Sequence, residues 1–167
     1  ALLTRIGRVQ QATEFAGKAV IVRIKSLGLM HNCTVDALYN LGLIYRIGGN
    51  VEDALRQLWT CRGVRIHLNG RWSLEMANLD CCIGATFQQM GHIVDAFLVF
   101  NEAYQIYKRR LGKQHTLTKR ARSNMNRTRY ESQDAMYSYD EIRDAAWSIN
   151  QQQIQQRDHL APAMDAV

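Results

Sequence analysis

The sequence predicts an all-α fold: an α-solenoid, in which antiparallel helix pairs stack into a superhelix, closed by a long C-terminal capping helix. Two observations predict it. Small and apolar residues recur at intervals of 42 positions, and such self-similarity is typical of stacked repeats. The chain also has a single proline, and its glycines fall mostly where predicted helices end.

The 42-residue interval recurs in several independent sets of positions. The sets are Gly7, Gly49 and Gly91; Gly28, Gly70 and Gly112; Ala12, Ala54 and Ala96; Leu3, Tyr45 and Phe87; and Gly42 and Gly84. One helix pair of this kind cannot bury its apolar face alone. We therefore expect each pair to pack against the next pair along the chain.

The first repeat is predicted to be truncated. Leu3 stands where later repeats have Tyr45 and Phe87, so residues 1–6 read as the end of a helix that Gly7 terminates. Such a start is typical of a segment of a larger protein. A helix from about residue 8 to residue 26 follows, with an apolar face of Ala12, Ala16, Ala19, Val20 and Ile24.

The second and third repeats each predict two helices. In the second, helices cover about 34–47 and 51–68, with Thr34 and Asn50 as N-caps. In the third, Ser73 caps a helix that runs to about residue 90, and another covers about 93–110. The apolar face of that last helix comprises Ala96, Phe97, Phe100, Ala103, Tyr104 and Tyr107.

The fourth repeat begins in register and then departs from the pattern. Thr116 or Thr118 can start its helix, but Asn126 replaces the small glycine and Arg129 replaces the aromatic residue. Terminal repeats are usually atypical, because one face has no neighbour. The predicted organisation is a repeat array over 1–131, a terminal capping helix over 132–157, and a frayed tail over 158–167.

These motifs resemble the long tetratricopeptide repeats of kinesin light chains. In the loops, the resemblance rests on Leu27-Gly28-Leu-Met-His31 and Leu111-Gly112-Lys-Gln-His115. In a first helix, it rests on Leu38-Tyr-Asn40-Leu41-Gly42 with Tyr45. At the turns, it rests on Gly49-Asn-Val-Glu-Asp-Ala54-Leu55 and Gly91-His-Ile-Val-Asp-Ala96-Phe97. It covers about residues 1–131. The middle loop, Asn69-Gly70-Arg-Trp-Ser73, lacks the histidine, and Asn78-Leu-Asp80-Cys-Cys departs from the usual stretch.

The resemblance implies that the first helix of each repeat lines a concave groove that binds a partner. By register, the positions of this predicted groove are Asp36, Tyr39, Asn40, Leu43 and Arg46; Asn78, Cys81, Cys82, Ala85 and Gln88; and Arg120, Asn124, Arg127 and Tyr130. We expect the partner-binding residues to be Tyr39, Asn40, Arg46, Asn78, Gln88, Arg120, Asn124 and Arg127. Amides suit the backbone of an extended peptide, and arginines suit carboxylates.

A basic patch adjoins this predicted groove. Residues 108–129 contain nine lysines and arginines and no aspartate or glutamate, although the whole chain carries a formal charge of only +6. Besides Arg120 and Arg127, the patch comprises Lys108, Arg109, Arg110, Lys113, Lys119, Arg122 and Arg129. Such a patch attracts an acidic protein surface or RNA, although a solvated face without a partner gives the same pattern.

The sequence therefore indicates an adaptor or scaffold that binds a protein partner, an acidic peptide or surface. Nucleic acid fits less well, because aromatic residues are sparse in the patch and no nucleic-acid motif is present. Two alternatives remain open: a structural subunit of a large cytoskeletal or ciliary assembly, and an RNA-associated helical repeat.

Several function classes lack support in the sequence. No phosphate-binding loop or catalytic triad spacing occurs, so we expect neither an enzyme nor a cofactor. The four cysteines have no CxxC spacing, so a zinc site is not expected, and reduced thiols in a cytoplasmic protein are the simplest interpretation. No run of eighteen apolar residues occurs that could span a membrane.

Overall fold

The computed structural model describes the chain from residue 2 to residue 134. This part contains six α-helices and no strand. They are α1 (Leu2–Leu27), α2 (Asn32–Ile47), α3 (Val51–Asn69), α4 (Leu74–Gln89), α5 (Ile93–Leu111) and α6 (Thr116–Asp134). Each helix packs against its neighbours in sequence, and α2 also contacts α4. Such nearest-neighbour packing is that of a solenoid, and the predicted all-α fold is confirmed.

Glycine ends three of the helices as the repeat register predicts. Gly28, Gly70 and Gly112 follow α1, α3 and α5 with φ of +79°, +75° and +82°. Glycine adopts this left-handed region without a steric penalty because it has no Cβ. The 42-residue spacing of these glycines therefore repeats the point at which one helix pair ends and the next begins.

The N-caps agree with the prediction at Asn50 and Ser73 and differ at Thr34. Ser73 accepts a hydrogen bond from the Met76 N–H at 3.2 Å. Helix α2 begins two residues earlier than predicted, because the His31 Nδ1 accepts from the Cys33 N–H at 3.1 Å and caps the helix. The Thr34 hydroxyl is buried and donates instead to the Gly28 carbonyl at 2.8 Å.

The His115 side chain repeats the role of His31 at the start of α6. Its Nδ1 accepts from the Leu117 N–H at 3.2 Å. The helix therefore begins at Thr116, one of the two predicted starts, while Thr118 is buried inside it. The histidine of the loop motif is thus a helix cap, which Ser73 replaces in the middle repeat.

The predicted helix break at Gly7 is wrong. Helix α1 runs without interruption from Leu2 to Leu27, and Gly7 is not among the glycines with positive φ. A glycine inside a helix costs only about 1 kcal/mol relative to alanine, which is too little to end a helix by itself. At Gly49 and Gly91, by contrast, positive φ accompanies the reversal of the chain.

The predicted apolar face of α1 is only partly buried. Val20 is buried and Ala12 and Ala16 are half-buried, but Ala19 and Ile24 are exposed. Among the described helices α1 packs mainly on α2, so much of its surface has no covering helix. By contrast, the predicted face of α5 is confirmed: all its residues are buried except the half-buried Tyr104.

Helix pairs approach closely at the small residues of the register. A Cβ on Gly42 would lie 3.0 Å from the Leu58 side chain, and one on Gly84 would lie 2.9 Å from the Phe100 ring. Leu58 and Phe100 are both buried. Glycine at these positions therefore lets the second helix of each repeat pack against the first.

Two buried clusters form the core of the described part. The first joins helices α1 to α5 and includes Val20, Val35, Leu38, Leu41, Leu58, Cys61, Leu79, Ile83 and Val99. The second joins α4, α5 and α6 and includes Met76, Ala77, Ala103, Ile106, Tyr107 and Ala121. Trp59 of α3 packs edge-on against Phe87 of the next repeat, with ring centroids 6.4 Å apart.

Helix α6 extends across the predicted boundary between residues 131 and 132. It includes Ser132, Gln133 and Asp134, which stand where the second and third repeats make their turns. Beyond Asp134, the predicted capping helix with Trp147 and the tail over 158–167 lie outside the described residues.

Candidate functional site

The predicted groove residues lie on α2, α4 and α6, and two contacts join these helices. The Tyr39 hydroxyl of α2 lies 3.1 Å from the Cys82 Sγ of α4. The Arg127 guanidinium of α6 donates to the Gln88 Oε1 of α4 at 3.0 Å. First helices of successive repeats are therefore neighbours. We call the predicted groove positions on them the first-helix face.

Exposure differs among the eight predicted binding residues. Asn40, Asn78, Arg120 and Arg127 are exposed, whereas Tyr39, Arg46, Gln88 and Asn124 are half-buried. All eight retain some solvent access. The face is thus a polar surface over an apolar core rather than a deep cavity.

The α2 end of the face carries an acid whose charge is compensated. Asp36 accepts from the Arg65 guanidinium at 2.7 Å, and Arg65 is buried. The same guanidinium stacks over the Tyr39 ring, 5.5 Å from its centroid. Burial raises the pKa of Tyr39, so the phenol is neutral. The Asp36–Arg65 pair therefore adds little net charge to the face.

A similar contact at the next repeat uses neutral groups. The Tyr107 hydroxyl donates to the Asn78 Oδ1 at 2.5 Å, and burial raises the pKa of Tyr107. Tyr107 stands one repeat after Arg65, and Asn78 one repeat after Asp36. Since the Asn78 oxygen is engaged, its amide N–H groups are the donors left for a partner.

Arginines supply the remaining charge on the first-helix face. Arg46 of α2 has a buried Nε without a hydrogen-bond partner among the described residues. Arg120 stands one repeat after Asn78, so the register replaces an amide by a cation at the α6 end. Arg120 and Arg127 thus place two cations on α6, and Arg46 places one on α2.

The predicted basic patch is distributed over several surfaces. At the end of α5, Lys108 lies over the Tyr104 ring at 5.8 Å, and Arg109 lies over the Trp72 ring at 5.1 Å. Arg110 and Lys113 are exposed near the α5–α6 loop. Arg129 is exposed on α6, and Lys119 and Arg122 line a concavity on that helix. The structure therefore separates a stretch that is continuous in sequence.

Trp72 is an exposed loop residue that also packs. About half of its surface is accessible, and the Arg109 guanidinium covers one side of its ring. Trp72 is therefore partly packed and partly accessible to solvent. The cation–π attraction between the Arg109 guanidinium and the Trp72 ring keeps the two side chains in contact.

A buried ionic network joins the second and third repeats, and sequence reasoning missed it. Arg62 of α3 donates from Nε to the Asp80 Oδ1 of α4 at 2.8 Å, and its guanidinium also pairs with Glu102 of α5. Arg71, in the α3–α4 loop, pairs with Glu102 at 2.9 Å. Arg62 and Asp80 are both buried.

Burial controls the ionisation of this network. It raises the pKa of Asp80 to about 6, since the attraction of Arg62 compensates only part of the desolvation. The second carboxylate oxygen of Asp80 has no partner among the described residues, which leaves that desolvation uncompensated. The signals in the sequence were an arginine at the register position of Val20 and an aspartate at that of Leu38.

The described cysteines are free thiols. Cys61 is buried, as is Ala103 one repeat later, and Cys33 is exposed. Burial raises the pKa of Cys61 and of Cys81 to about 12. In residues 2–134, no group of histidine, cysteine and acidic side chains is arranged to hold a metal ion, and no helix there is long and apolar enough to cross a membrane.

Solved structures with the same architecture are known. The kinesin light chain TPR-like repeats of Podosopora anserina superpose with a TM-score of 0.68 at 18% identity, over 73% of this chain and 58% of theirs. BtubC (BKLC) from P. vanneervenii superposes with a TM-score of 0.70 at 15% identity, over 96% of this chain and 59% of its own. The fold is that of a tetratricopeptide-like repeat array.

At these identities the similarity establishes the fold alone. A point variant of the Podosopora anserina protein superposes equally well, with a TM-score of 0.68 at 17% identity over 73% of this chain and 57% of that one. No protein-family model matches this sequence, and no curated protein matches it. The chain spans less than two thirds of the length of the structures that it resembles.

Proposed function

We propose that this repeat array is a protein-interaction module, an adaptor or scaffold that binds an acidic peptide or acidic protein surface on its first-helix face. One observation carries the proposal. The one acid among the groove positions, Asp36, is paired with Arg65, while Arg46, Arg120 and Arg127 have no carboxylate partner among the described residues. A partner with carboxylates would supply the missing counter-charges.

The amides of the face support a peptide rather than a small anion. Asn40 and Asn124 stand at equivalent positions two repeats apart, and Asn78 keeps its donors free. Amides at such intervals can bond the backbone of an extended segment, and arginines can bond its acidic side chains. The neighbouring helices α2, α4 and α6 would then each contribute to one continuous binding surface.

The test compares two doubly substituted chains of equal charge. Arg120→Ala with Arg127→Ala removes two cations of the face, and Arg109→Ala with Arg110→Ala removes two cations of α5. The probe is a fluorescein-labelled poly-glutamate peptide, with a poly-lysine peptide as its control. We expect the first variant to weaken binding roughly tenfold, about 1.4 kcal/mol, and the second to change it little.

Other results would contradict the proposal in distinct ways. Equal weakening in both variants would mean that net charge alone attracts the peptide. Tighter binding of a poly-uridine oligonucleotide, with a steep salt dependence, would favour RNA as the partner. If neither probe binds, the array acts as a structural subunit of an assembly that docks through another face.

A further inference from the structure

Helix α6 has a basic concavity of about 550 Å³ along one side. We call its six lining residues the α6 concavity: Lys119, Arg122, Ser123, Asn126, Arg127 and Tyr130. Positions of this kind recur every three or four residues, so they share one side of the helix. Three of the six residues are cations and none is an acid, and all are exposed except the half-buried Asn126. The α6 concavity therefore presents positive charge and neutral hydrogen-bond donors to solvent.

The positive charge of the α6 concavity is largely uncompensated. Residues 116–130 contain five lysines and arginines and no aspartate or glutamate. Within the part of the chain that the structure describes, no carboxylate pairs with Lys119 or Arg122. Arg127 donates to the neutral Gln88 Oε1 at 3.0 Å. An anionic ligand would therefore supply counter-charge that these cations lack.

The fourth repeat differs from the third at these positions. Lys119 and Asn126 stand one repeat after Ala77 and Gly84, which are buried. A Cβ on Gly84 would lie 2.9 Å from the Phe100 ring of α5. Because Asn126 carries a whole side chain at that position, a helix could not approach α6 as closely as α5 approaches α4. The register thus changes from small residues that let a helix pack to longer polar residues that can reach a ligand.

The α6 concavity is continuous with the first-helix face. Arg127 and Tyr130 are predicted groove positions, and both also line the concavity. The contact between Arg127 and Gln88 places this end of the concavity beside α4. A peptide that lies across α4 and α6 on the first-helix face would therefore meet the concavity with one of its side chains.

The donors of the α6 concavity suit a phosphate monoester better than a carboxylate. A carboxylate has one negative charge, whereas a phosphorylated side chain carries about −1.5 to −2 at pH 7 and three acceptor oxygens. Guanidinium groups such as those of Arg122 and Arg127 bond phosphate oxygens in pairs, and the Lys119 ammonium adds a point charge. The Ser123 hydroxyl and the Asn126 amide can donate to the remaining oxygen lone pairs.

We propose that the α6 concavity binds a phosphorylated serine or threonine of the peptide that lies on the first-helix face. The proposal rests on the proposed function, because that function supplies the peptide. Phosphorylation of the partner would then strengthen its binding to the array. An RNA backbone matches the site less well, since each of its phosphodiesters carries a single charge and the three cations lie together.

Fluorescence anisotropy with two matched peptides tests the proposal on the full chain. Each is a fluorescein-labelled chain of glutamate and glycine, with either phosphoserine or glutamate at its centre. We expect the phosphoserine peptide to bind about tenfold more tightly than the glutamate peptide. Lys119→Ala with Arg122→Ala should reduce this ratio to about twofold or less. Arg110→Ala with Lys113→Ala also removes one arginine and one lysine, and should leave the ratio near its wild-type value.

Four outcomes would overturn the proposal in distinguishable ways. Equal affinities of the two peptides for the wild-type chain, or an undiminished ratio in Lys119→Ala with Arg122→Ala, would remove the phosphate site. Either result leaves the proposed function standing if the glutamate peptide still binds through Arg120 and Arg127. If neither peptide binds, the proposed function fails together with the phosphate site. Tighter binding of poly-uridine, or of vesicles that contain a phosphatidylinositol phosphate, would assign the concavity to RNA or to a lipid headgroup instead.

Discussion

The Arg62 Nε donates to the Asp80 Oδ1 at 2.8 Å across the junction of the second and third repeats, and both side chains are buried. One repeat earlier, the equivalent positions hold Val20 and Leu38, which are also buried. The array therefore uses an ion pair at one junction where it uses apolar packing at the other.

Removing the arginine should destabilise the array strongly. Arg62→Val leaves the Asp80 carboxylate buried without its cation, and such losses cost about 3–5 kcal/mol. The double variant Arg62→Val with Asp80→Leu copies the first junction and should recover most of that loss. Urea unfolding at pH 8, followed by circular dichroism, measures both. A double variant no more stable than Arg62→Val would mean that the junction depends on the ion pair itself.

The stability of the array should depend on pH through Asp80. Burial raises the pKa of this carboxyl from 3.8 to about 6, so between about pH 4 and pH 6 the folded chain binds a proton that the unfolded chain has released. The contribution of Asp80 to stability therefore falls as pH rises through this window. Relative to wild type, Asp80→Asn should gain stability over the same range, because asparagine cannot ionise.

The measurement is the difference between the unfolding free energies of wild type and Asp80→Asn at several pH values. Taking this difference removes the contribution of the other carboxylates. Asp53→Asn changes a partly exposed acid and serves as the matched control. A difference that is flat from pH 4 to pH 7, or of opposite sign, would show that Arg62 and Arg71 outweigh the burial of Asp80.

The repeat register predicts much of the fold and little of this network. The close approach at Gly42 and Gly84 follows from periodicity, because each repeat makes the same local contact. The Arg62–Asp80 pair breaks the period, since its residues replace the apolar Val20 and Leu38 of the preceding repeat. Periodicity also misplaced a helix end at Gly7, where the residue matched the repeat but the chain does not reverse.

For the candidate site, too, the register predicted positions on helices but not the contacts between side chains. Register assigned residues to the first-helix face, and the Tyr39–Cys82 and Gln88–Arg127 contacts show that the helices carrying them are neighbours. It could not predict that Arg65 compensates Asp36, because that pairing depends on how far two side chains of different helices reach. It also treated the basic stretch as one surface, although helix geometry separates residues that are adjacent in sequence.

A methyl group at Gly84 should destabilise the array. Its Cβ would lie 2.9 Å from the Phe100 ring, which is 1% exposed and cannot move away freely. Overpacking of this kind costs about 1–3 kcal/mol, partly offset by the higher helix propensity of alanine. Gly17→Ala, where nothing lies within 4 Å of the new methyl group, should instead stabilise by up to about 1 kcal/mol. Thermal unfolding of both variants tests the contrast, and equal effects would show that Gly84 is not a packing residue.

The thiols should differ widely in their rates of alkylation. Burial raises the pKa of Cys61 and Cys81 to about 12, so at pH 8 only about one thiol in ten thousand is ionised at either position. Cys33 is exposed and should react with iodoacetamide first. Peptide mapping at timed intervals gives the order, and Cys33→Ser should remove the fast phase.

In urea all the thiols should react at similar rates, because the difference depends on the folded helices. Rapid labelling of Cys61 in the native chain would mean that the contact between α2 and α3 opens readily, contrary to the tight approach at Gly42 and Leu58.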